Sequence, residues 1–245
     1  MKQVAGDRIL LFVKTPIKGR VKSRLASAVG EEGALDLYRD FVLDILGTLQ
    51  AEGLAFRICY APPDSGPALI SWLGPGHQYR AQEGKDLGER MKNAFSSVFL
   101  EGIERAILIG SDIPDLPGSV IRDAFTVLES KDAVLGPAAD GGYYLIGFRS
   151  GAFLPQAFDG IPWGTDAVLR CTLDILEKGG RSVRLLPVWN DLDTSQDLEA
   201  FFARNHGGLP GSRTLSAVKS LLRQKPGSAE HHRTRAGKKA PFDHE

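Results

Sequence analysis

The stretch Arg105-Ala106-Ile107-Leu108-Ile109-Gly110-Ser111-Asp112-Ile113-Pro114 decides the fold class of this chain. Its apolar residues are consecutive, which is typical of a strand that is buried on both faces in a parallel sheet covered by helices. The run stops at Asp112, and parallel sheets bind their ligands at the carboxyl ends of their strands. An acid there favours a site where a hard divalent cation is shared with phosphate oxygens. A turn or helix-capping role for Asp112 is the alternative.

Helical and strand patterns alternate along the rest of the chain. Besides the strand that ends at Asp112, strands are predicted at 9–13, 56–61, 78–81, 133–136, 144–148 and 183–188, and helices at 31–52, 68–73, 87–100, 119–129, 165–178 and 195–203. Strands that alternate with helices in this way indicate right-handed crossover connections and a mainly parallel sheet. The sequence therefore predicts an α/β fold with three layers, αβα, around a mainly parallel central sheet.

The length and the apolar content favour a single domain. The chain has 245 residues, of which 42% are hydrophobic, and this is enough for one substantial core. We assign that domain to residues 1–223. From Gln224 onward the sequence is basic and polar with almost no apolar residues, so burial cannot offset the entropy of ordering it. Residues 224–245 are therefore predicted to be a disordered basic tail.

The charge and the cysteines exclude several classes of protein. Thirty Lys and Arg residues balance thirty Asp and Glu residues, so no overall field would attract nucleic acid or a membrane surface. Cys59 and Cys171 lie far apart and have no zinc-ligand spacing around them, which favours a reducing compartment. The first apolar run, 9–13, is too short for a signal segment or a membrane span. We expect a soluble cytoplasmic protein.

A basic loop follows the first strand. Five cationic residues lie between Lys14 and Leu25, together with Gly19. Glycine lets a backbone approach an anion closely, and Lys and Arg supply charge and hydrogen-bond donors, so Lys14, Lys22 and Arg24 are candidate phosphate ligands. The loop lacks the glycines and the Gly-Lys-Ser/Thr ending of a Walker loop. A solvated basic loop is the alternative.

A second acidic motif, Asp191-Leu192-Asp193-Thr194, lies between a predicted strand and a predicted helix. Thr194 and Asp197 have the spacing of a capping box, which gives both a structural role. Asp193 is left free, and we predict that it shares a cation with Asp112, because both lie at strand ends. A turn aspartate is the alternative for Asp193.

Glycine and aromatic residues mark a third region. In Asp140-Gly141-Gly142-Tyr143, the glycines suit close approach of a ligand, and Tyr143 offers an apolar face and a hydroxyl. A hairpin turn explains the same residues equally well.

Two helix starts carry further candidate residues. Asp86, which precedes Arg90, could cap the helix at 87–100. In Trp163-Gly164-Thr165-Asp166, Thr165 is a candidate cap, and Asp166 could simply complement the helix dipole.

Taken together, these motifs resemble one bacterial family of GT-A-like nucleotide-diphospho-sugar transferases. The resemblance covers about residues 8–204 and rests on Lys14 to Leu25, Gly84 to Arg90, Gly110 to Pro114, Asp140 to Tyr144, Trp163 to Asp166 and Asp191 to Thr194. Members of the family are glycosyltransferases, some of them in arsenosugar biosynthesis. The family is similar in fold to phospholactate guanylyltransferase and to the molybdenum-cofactor nucleotidyltransferases, which implies a Rossmann-like GT-A fold.

The resemblance also implies roles for the candidate residues. Asp112 corresponds to the metal-binding acid of GT-A enzymes and Asp193 to a second acid of related nucleotidyltransferases, with Mg²⁺ or Mn²⁺ as the cofactor. Many GT-A glycosyltransferases have Asp-x-Asp at this position, whereas this chain has Ser111-Asp112. The other candidate roles come from the residues themselves: nucleotide or phosphate binding for Lys14, Gly19, Lys22, Arg24, Asp86 and Arg90, acceptor or sugar binding for Gly141, Gly142, Tyr143, Trp163 and Thr165, and, in a glycosyltransferase, general-base catalysis for Asp140 or Asp166.

Three functions remain open at this point. The first is a metal-dependent glycosyltransferase that uses a nucleotide sugar and a small-molecule acceptor. The second is a nucleotidyltransferase in which a phosphate or carboxylate acceptor attacks the α-phosphorus of a nucleoside triphosphate, and the five cations of the basic loop, which could stabilise the leaving pyrophosphate, favour it. The third is a noncatalytic nucleotide-binding regulator. Such a protein would not need two separated acids at the sheet edge where phosphates bind, and their desolvation would cost free energy without a benefit.

The irregular segment 149–164 is predicted to be either a lid on the acceptor side or a solvated connector.

Overall fold

The computed structural model describes residues 6–224, which form a seven-stranded sheet with helices on both faces. The strands are β1 Asp7–Lys14, β2 Phe56–Ala61, β3 Tyr79–Ala81, β4 Arg105–Gly110, β5 Ala133–Pro137, β6 Tyr143–Arg149 and β7 Val183–Leu185. The helices are α1 Ser23–Ala51, α2 Gly66–Leu73, α3 Leu87–Leu100, α4 Gly118–Val127, α5 Val168–Lys178, α6 Ser195–Arg204 and α7 Arg213–Gln224.

The strands lie in the order β3-β2-β1-β4-β6-β5-β7, and all neighbours are parallel except those of β6. Strand β6 follows β5 after a loop of five residues, 138–142, which is too short for a crossover connection and therefore makes the pair antiparallel. The prediction of a mainly parallel sheet is confirmed.

Successive side chains of β1 point to opposite faces of the sheet, and this explains the three layers of the fold. Ile9 and Leu11 face one side of the sheet, where they pack with buried residues of α1, α4, α6 and α7. Leu10 faces the other side, where α3 and α5 contribute to a second cluster that includes Phe95 and Phe148. Because both faces of the central strands are covered, an uninterrupted apolar run such as that of β4 is stable at this position. The predicted αβα arrangement is confirmed.

Several element boundaries differ from the predictions. Helix α1 begins at Ser23, and a kink at Gly30, whose φ is 76°, separates its first turns from the predicted helix. Strand β4 ends at Gly110, so Asp112 lies in the turn beyond it. Helix α5 begins at Val168, and Thr165 lies before it. Helix α7 was not predicted at all. It includes Gln224, and the rest of the predicted basic tail lies outside the described residues.

The segment 149–164 is not a solvated connector. It contains two short 3₁₀ turns, and its Phe153 and Phe158 stack among Phe95 and Phe148 in the second core cluster. Burial of these rings fixes the segment against the sheet, because aromatic side chains contribute large buried areas. None of the helices in residues 6–224 combines the length and the apolar composition needed to cross a membrane.

Candidate active site

A pocket of about 380 Å³ opens at the carboxyl ends of β1 and β4, the sheet edge at which a ligand site was predicted. Its walls come from these strand ends, the start of α3, the hairpin between β5 and β6, and the segment that leads into α5. Nine of the predicted site residues line it: Lys14, Lys22, Arg90, Asp112, Asp140, Gly142, Tyr143, Trp163 and Thr165.

The side chain of Lys22 joins the two predicted metal-binding acids. Its Nζ lies 2.9 Å from Asp112 Oδ1 and 2.6 Å from Asp193 Oδ1, so the two carboxylates converge on one cation. The lysine side chain is only 4% exposed, whereas those of Asp112 and Asp193 are 45% and 38% exposed. Burial alone would lower the pKa of the ammonium, but the two carboxylates more than offset this effect and raise it. Lys22 is therefore held as a charged group.

Backbone contacts explain why residues so distant in sequence meet here. The amide of Leu192 donates to the carbonyl oxygen of Asp112 over 3.0 Å, which joins the two acidic turns directly. The carboxylate of Asp197 accepts from the amides of Asp193 and Thr194, at 3.0 and 2.7 Å. Thr194 in turn accepts from the Asp197 amide, so the predicted capping box is confirmed. The start of α6 thus fixes the backbone that carries Asp193.

A buried carboxylate, Asp115, provides a second link between the same segments. It accepts hydrogen bonds from Trp189 Nε1 at 3.1 Å, from two nitrogens of Arg204 at 2.6 and 3.0 Å, and from Asn205 Nδ2 at 2.8 Å. Burial alone would raise the pKa of Asp115, but these donors outweigh it and hold the pKa below its usual value. The turn after β4 is therefore attached to both ends of the segment that carries Asp193.

Tyr38 of α1 connects the ends of β1 and β4. Its buried hydroxyl accepts from the Lys14 amide at 2.8 Å, donates to the Lys14 carbonyl at 3.0 Å and lies 3.1 Å from Ser111 Oγ. Burial of the ring raises the pKa of Tyr38 far above its ordinary value, which keeps the hydroxyl protonated. Lys14 and Asp112, which flank the pocket, are therefore positioned by one side chain.

The apolar part of the pocket includes Tyr143 and Trp163, whose rings meet edge to face with centroids 6.4 Å apart. Trp163 lies directly against the first turn of α3. A Cβ at position 88 would be 2.9 Å from Trp163 Nε1 and 2.6 Å from the Phe158 carbonyl oxygen, so only glycine permits this contact at Gly88. An aromatic wall beside charged groups suits a ligand that has both a ring and phosphate groups.

Comparison with known proteins places this arrangement in a family. A crystal structure from Desulfovibrio desulfuricans G20, provisionally assigned as a nucleotide-diphospho-sugar transferase, is 43% identical in sequence, with a TM-score of 0.85. The match covers 89% of this chain and 97% of that one. This chain belongs to the same family of nucleotide-diphospho-sugar transferases. Residues 45–165 also match a family described as "Uncharacterized protein conserved in bacteria (DUF2064)". The predicted resemblance is confirmed.

More distant structures share the fold of the family. A nucleotidyl transferase from Methanothermobacter superposes with a TM-score of 0.56 at 11% identity, over 82% of this chain and 97% of that one. A CMP:2-keto-3-deoxy-manno-octonic acid synthetase superposes with a TM-score of 0.52, also at 11% identity, over 84% of this chain and all of the other. Identities this low show the fold alone. No protein of curated function matched the sequence.

Three of the residues that were predicted to bind nucleotide or phosphate do not line the pocket. Gly19 and Arg24 are exposed outside its walls, Gly19 at a φ of 73° and Arg24 in the first turn of α1. Asp86 also lies outside, where it caps α3 by accepting from the Glu89 amide at 2.8 Å. The Asp86 carboxylate thus takes the capping role that was the alternative at the sequence level.

The two predicted general bases are placed differently. Asp140 lines the pocket, and its carboxylate accepts from the Gly142 amide at 2.9 Å. Asp166 is exposed outside the pocket walls, and its backbone packs against Gly141, where φ is 89° and a Cβ would overlap it. Thr165 does not cap α5, because the helix begins only at Val168 and has no side-chain cap; the Thr165 hydroxyl donates to the Pro162 carbonyl and accepts from the Ala167 amide within the preceding turn.

Sequence reasoning assigned no role to Asp191, which lines the pocket, whereas Asp193 lies outside its walls and contacts the pocket residue Lys22. Burial, followed by the nearby charges of Asp193 and Asp140, raises the pKa of Asp191 to about 6. The sequence did contain a signal for Asp191, because it is one of two acids that are two residues apart, but only Asp193 was predicted to bind a metal. The acidic side of the pocket is therefore larger than predicted.

The predicted divalent cation can be tested against these donors. Asp112 and Asp193 supply the carboxylate oxygens that Mg²⁺ and Mn²⁺ prefer, and the ammonium of Lys22 already marks a point where a cation is stable between them. Within residues 6–224 there is no group of three or more His, Cys, Asp or Glu side chains arranged to hold a metal ion unaided. The donors fit a cation whose coordination is completed by substrate oxygens and water.

Proposed function

We propose that this protein is a metal-dependent glycosyltransferase that uses a nucleotide-diphospho-sugar donor. The observation that supports this most directly is that one pocket contains the cationic side chains Lys14 and Lys22, the acid Asp112 and the aromatic pair Tyr143 and Trp163. A nucleotide sugar needs all three kinds of contact, because it carries a diphosphate, whose charge a metal ion balances, and rings that pack on aromatic side chains.

The number of basic residues that the segment 14–24 contributes to the pocket supports a diphosphate rather than a triphosphate. Of the five basic residues in this segment, only Lys14 and Lys22 line the pocket. Lys18 instead pairs with Glu32 at 2.7 Å, and Arg20 and Arg24 are exposed. The loop therefore supplies about as much charge as a diphosphate requires, which removes the reason for preferring nucleotidyl transfer at the sequence level.

The residues of the pocket divide the work of the reaction. Lys14 and Lys22 would hold diphosphate oxygens as the glycosidic bond of the donor breaks, which stabilises the charge that develops on the leaving group. Asp112 and Asp193 would hold Mg²⁺ or Mn²⁺, which would supply further charge neutralisation for the leaving diphosphate. Asp140, which lines the pocket, would accept the proton of an acceptor hydroxyl, and Trp163 and Tyr143 would orient the sugar or the acceptor.

Nucleotidyl transfer to a phosphate or carboxylate acceptor is the second candidate. Arg90 is a third cationic residue in the pocket walls, and with Lys14 and Lys22 it could bind a triphosphate. In this reaction pyrophosphate would be the leaving group.

One assay distinguishes the two reactions. The protein is incubated with Mn²⁺ or Mg²⁺ and either nucleotide sugars with hydroxyl acceptors, or nucleoside triphosphates with sugar phosphates. Release of a nucleoside diphosphate from the first set supports glycosyl transfer, whereas release of pyrophosphate from the second set would overturn it. Asp112→Asn should abolish turnover, and Asp123→Asn, an exposed position on α4, is the matched control that should keep it.

A further inference from the structure

We propose that Lys22 is a placeholder cation: its ammonium neutralises Asp112 and Asp193 in the free protein, and the phosphates of the substrate draw it away. The divalent cation and the nucleotide diphosphate then bind cooperatively rather than independently. This inference rests on the proposed function, since it concerns the same pocket, and it specifies how that pocket is filled.

The first argument is the position of the ammonium. Nζ of Lys22 lies within 2.9 Å of a carboxylate oxygen on each acid, between the two groups that would have to hold the metal. A divalent ion entering the free protein would either meet this positive charge at close range or displace it from two ion pairs. The first route is unfavourable because like charges a few ångströms apart repel each other, and the second because it breaks both ion pairs of a buried ammonium.

The second argument is that the lysine is built into this position. Lys22 has a φ of 49°, and within residues 6–224 it is the one non-glycine residue with a positive φ. A left-handed conformation is unfavourable for such a residue, and it persists only where the surroundings impose it. The ammonium also lies 5.5 Å from the centroid of the Phe41 ring, which favours a cation there. The observed ion pairs are therefore not a surface contact formed by chance.

The third argument is that Lys22 has an alternative partner within reach. It lines the same pocket as Lys14, where the diphosphate is proposed to bind, and its four-carbon side chain allows the ammonium to move while the backbone stays fixed. If the ammonium turns to a phosphate oxygen, both carboxylates become free for the metal. Every charge then has an opposite partner, which neither ligand achieves alone.

Thermodynamic linkage makes the consequence measurable. If phosphate binding exposes the carboxylates, the nucleotide raises the affinity for the metal, and the metal raises the affinity for the nucleotide by the same factor. A variant without the ammonium should bind the metal well even when no nucleotide is present.

The experiment measures Mn²⁺ binding to the nucleotide-free protein by electron paramagnetic resonance. Lys22→Met should bind Mn²⁺ at least about tenfold more tightly than the wild type, in the range typical of coupling between sites. Lys18→Met is the matched control, because it removes the same charge from the same loop at an exposed position outside the pocket, where Lys18 pairs with Glu32, and its Mn²⁺ affinity should stay close to that of the wild type. Equal affinities for Lys22→Met and the wild type would overturn the proposal.

A second measurement uses the wild type alone and decides the matter if Lys22→Met does not fold. In protein labelled with ¹⁵N-lysine, the Nζ resonance of Lys22 should be unchanged by millimolar Mg²⁺ and should shift when a nucleoside diphosphate is added with it, with ADP, CDP, GDP and UDP tried in turn. Displacement of the resonance by Mg²⁺ alone would contradict the placeholder role.

The two proposals fail in different ways. If the wild type turns over nucleotide sugars but Lys22→Met has an unchanged Mn²⁺ affinity, the placeholder role is wrong and the proposed glycosyltransferase activity is supported. Tighter Mn²⁺ binding by Lys22→Met without any nucleotide-sugar turnover by the wild type would support the placeholder and overturn the proposed reaction.

Discussion

Arg204 donates two hydrogen bonds to the buried carboxylate of Asp115, one from Nε at 2.6 Å and one from Nη2 at 3.0 Å. This pair joins the turn after β4, which carries Asp112, to the end of α6. Charge-assisted contacts of this forked kind are among the stronger polar interactions in proteins, because two parallel bonds fix both groups. The geometry of the proposed metal site therefore depends on a carboxylate outside it.

Asp115→Asn is expected to lower the free energy of unfolding by about 3 kcal/mol, because the new amide group would face donors and leave Arg204 without its buried counterion. Urea unfolding followed by circular dichroism measures the change. Asp36→Asn is the control, since Asp36 pairs with Arg39 at 3.1 Å on the exposed side of α1 and should change the value by less than about 0.5 kcal/mol. Equal effects of the two substitutions would show that the Asp115 contacts do not stabilise the fold.

The same carboxylate predicts a pH dependence. Burial raises the pKa of Asp115, but its hydrogen bonds outweigh burial and lower it, so the unfolded chain binds this proton more readily than the folded protein does. The resulting stability is fully present above the ordinary aspartate pKa of about 4 and is lost as the pH falls through the lowered folded value. We expect the difference in unfolding free energy between the wild type and Asp115→Asn to shrink as the pH is lowered from about 5 towards 3. A difference that grows over this range would contradict the assignment.

Tyr38→Phe tests whether the link between β1 and β4 positions the pocket. Loss of the hydroxyl leaves the Lys14 amide without its partner, and we expect a loss of about 2 kcal/mol in stability together with a several-fold lower turnover. Tyr79→Phe is the matched control, because the Tyr79 hydroxyl also donates to a carbonyl, that of Gly74 at 2.5 Å, but on the edge strand β3. It should reduce stability and leave turnover unchanged. Full activity in Tyr38→Phe would remove its positioning role.

Gly88→Ala tests the contact between α3 and Trp163. The added methyl group would be too close to both the Phe158 carbonyl and the Trp163 ring, so we expect a loss of about 2 kcal/mol in stability and a higher KM. Gly47→Ala is the control, because this exposed position in α1 has no neighbour within 4 Å, and alanine there should stabilise the helix by about 0.5 kcal/mol. Steady-state kinetics and thermal unfolding provide both readouts. An unchanged KM in Gly88→Ala would mean that Trp163 does not contact the substrate.

The central sheet and its covering helices could be predicted because short stretches of sequence are enough to identify them. The apolar run of β4 and the alternation of strands with helices specify buried parallel strands whatever lies around them. Helix α7 was missed although it carries a local signal, since Ser212 Oγ accepts from the Leu215 amide as a helix cap and Leu215, Val218 and Leu222 follow at helical spacing. The rest of its cap comes from a distant element: the carboxylate of Asp44 in α1 accepts from Ser212 Oγ and from the amides of Arg213 and Thr214. A capping group more than 160 residues away leaves no signal beside the helix it stabilises.

The candidate site, like the fold, could be predicted from the sequence only in part. Asp112 and Asp193 were brought together from the sequence because both follow predicted strands whose ends share one sheet edge. In the structure β7 ends at Leu185, and the segment 186–194 carries Asp193 back to the turn after β4. The partner of Lys22 could not, because the direction of its side chain follows from a left-handed backbone at a non-glycine residue. Which loop cations line the pocket also depends on contacts that the sequence does not display, such as the pairing of Lys18 with Glu32.

Mutation can also decide which of two acids, Asp140 or Asp166, is the general base. Asp140 and Asp166 were equivalent candidates in the sequence, but only Asp140 lines the pocket, and its carboxylate is oriented by the Gly142 amide. A positioned general base contributes about a hundredfold or more, so Asp140→Asn should lower kcat by at least that factor, whereas Asp166→Asn should stay within about twofold of the wild type. Single-turnover kinetics with saturating donor separates the chemical step from product release. A large loss in Asp166→Asn with little effect in Asp140→Asn would reverse the assignment, because the exposed carboxylate could then act only after the segment before α5 had turned towards the pocket.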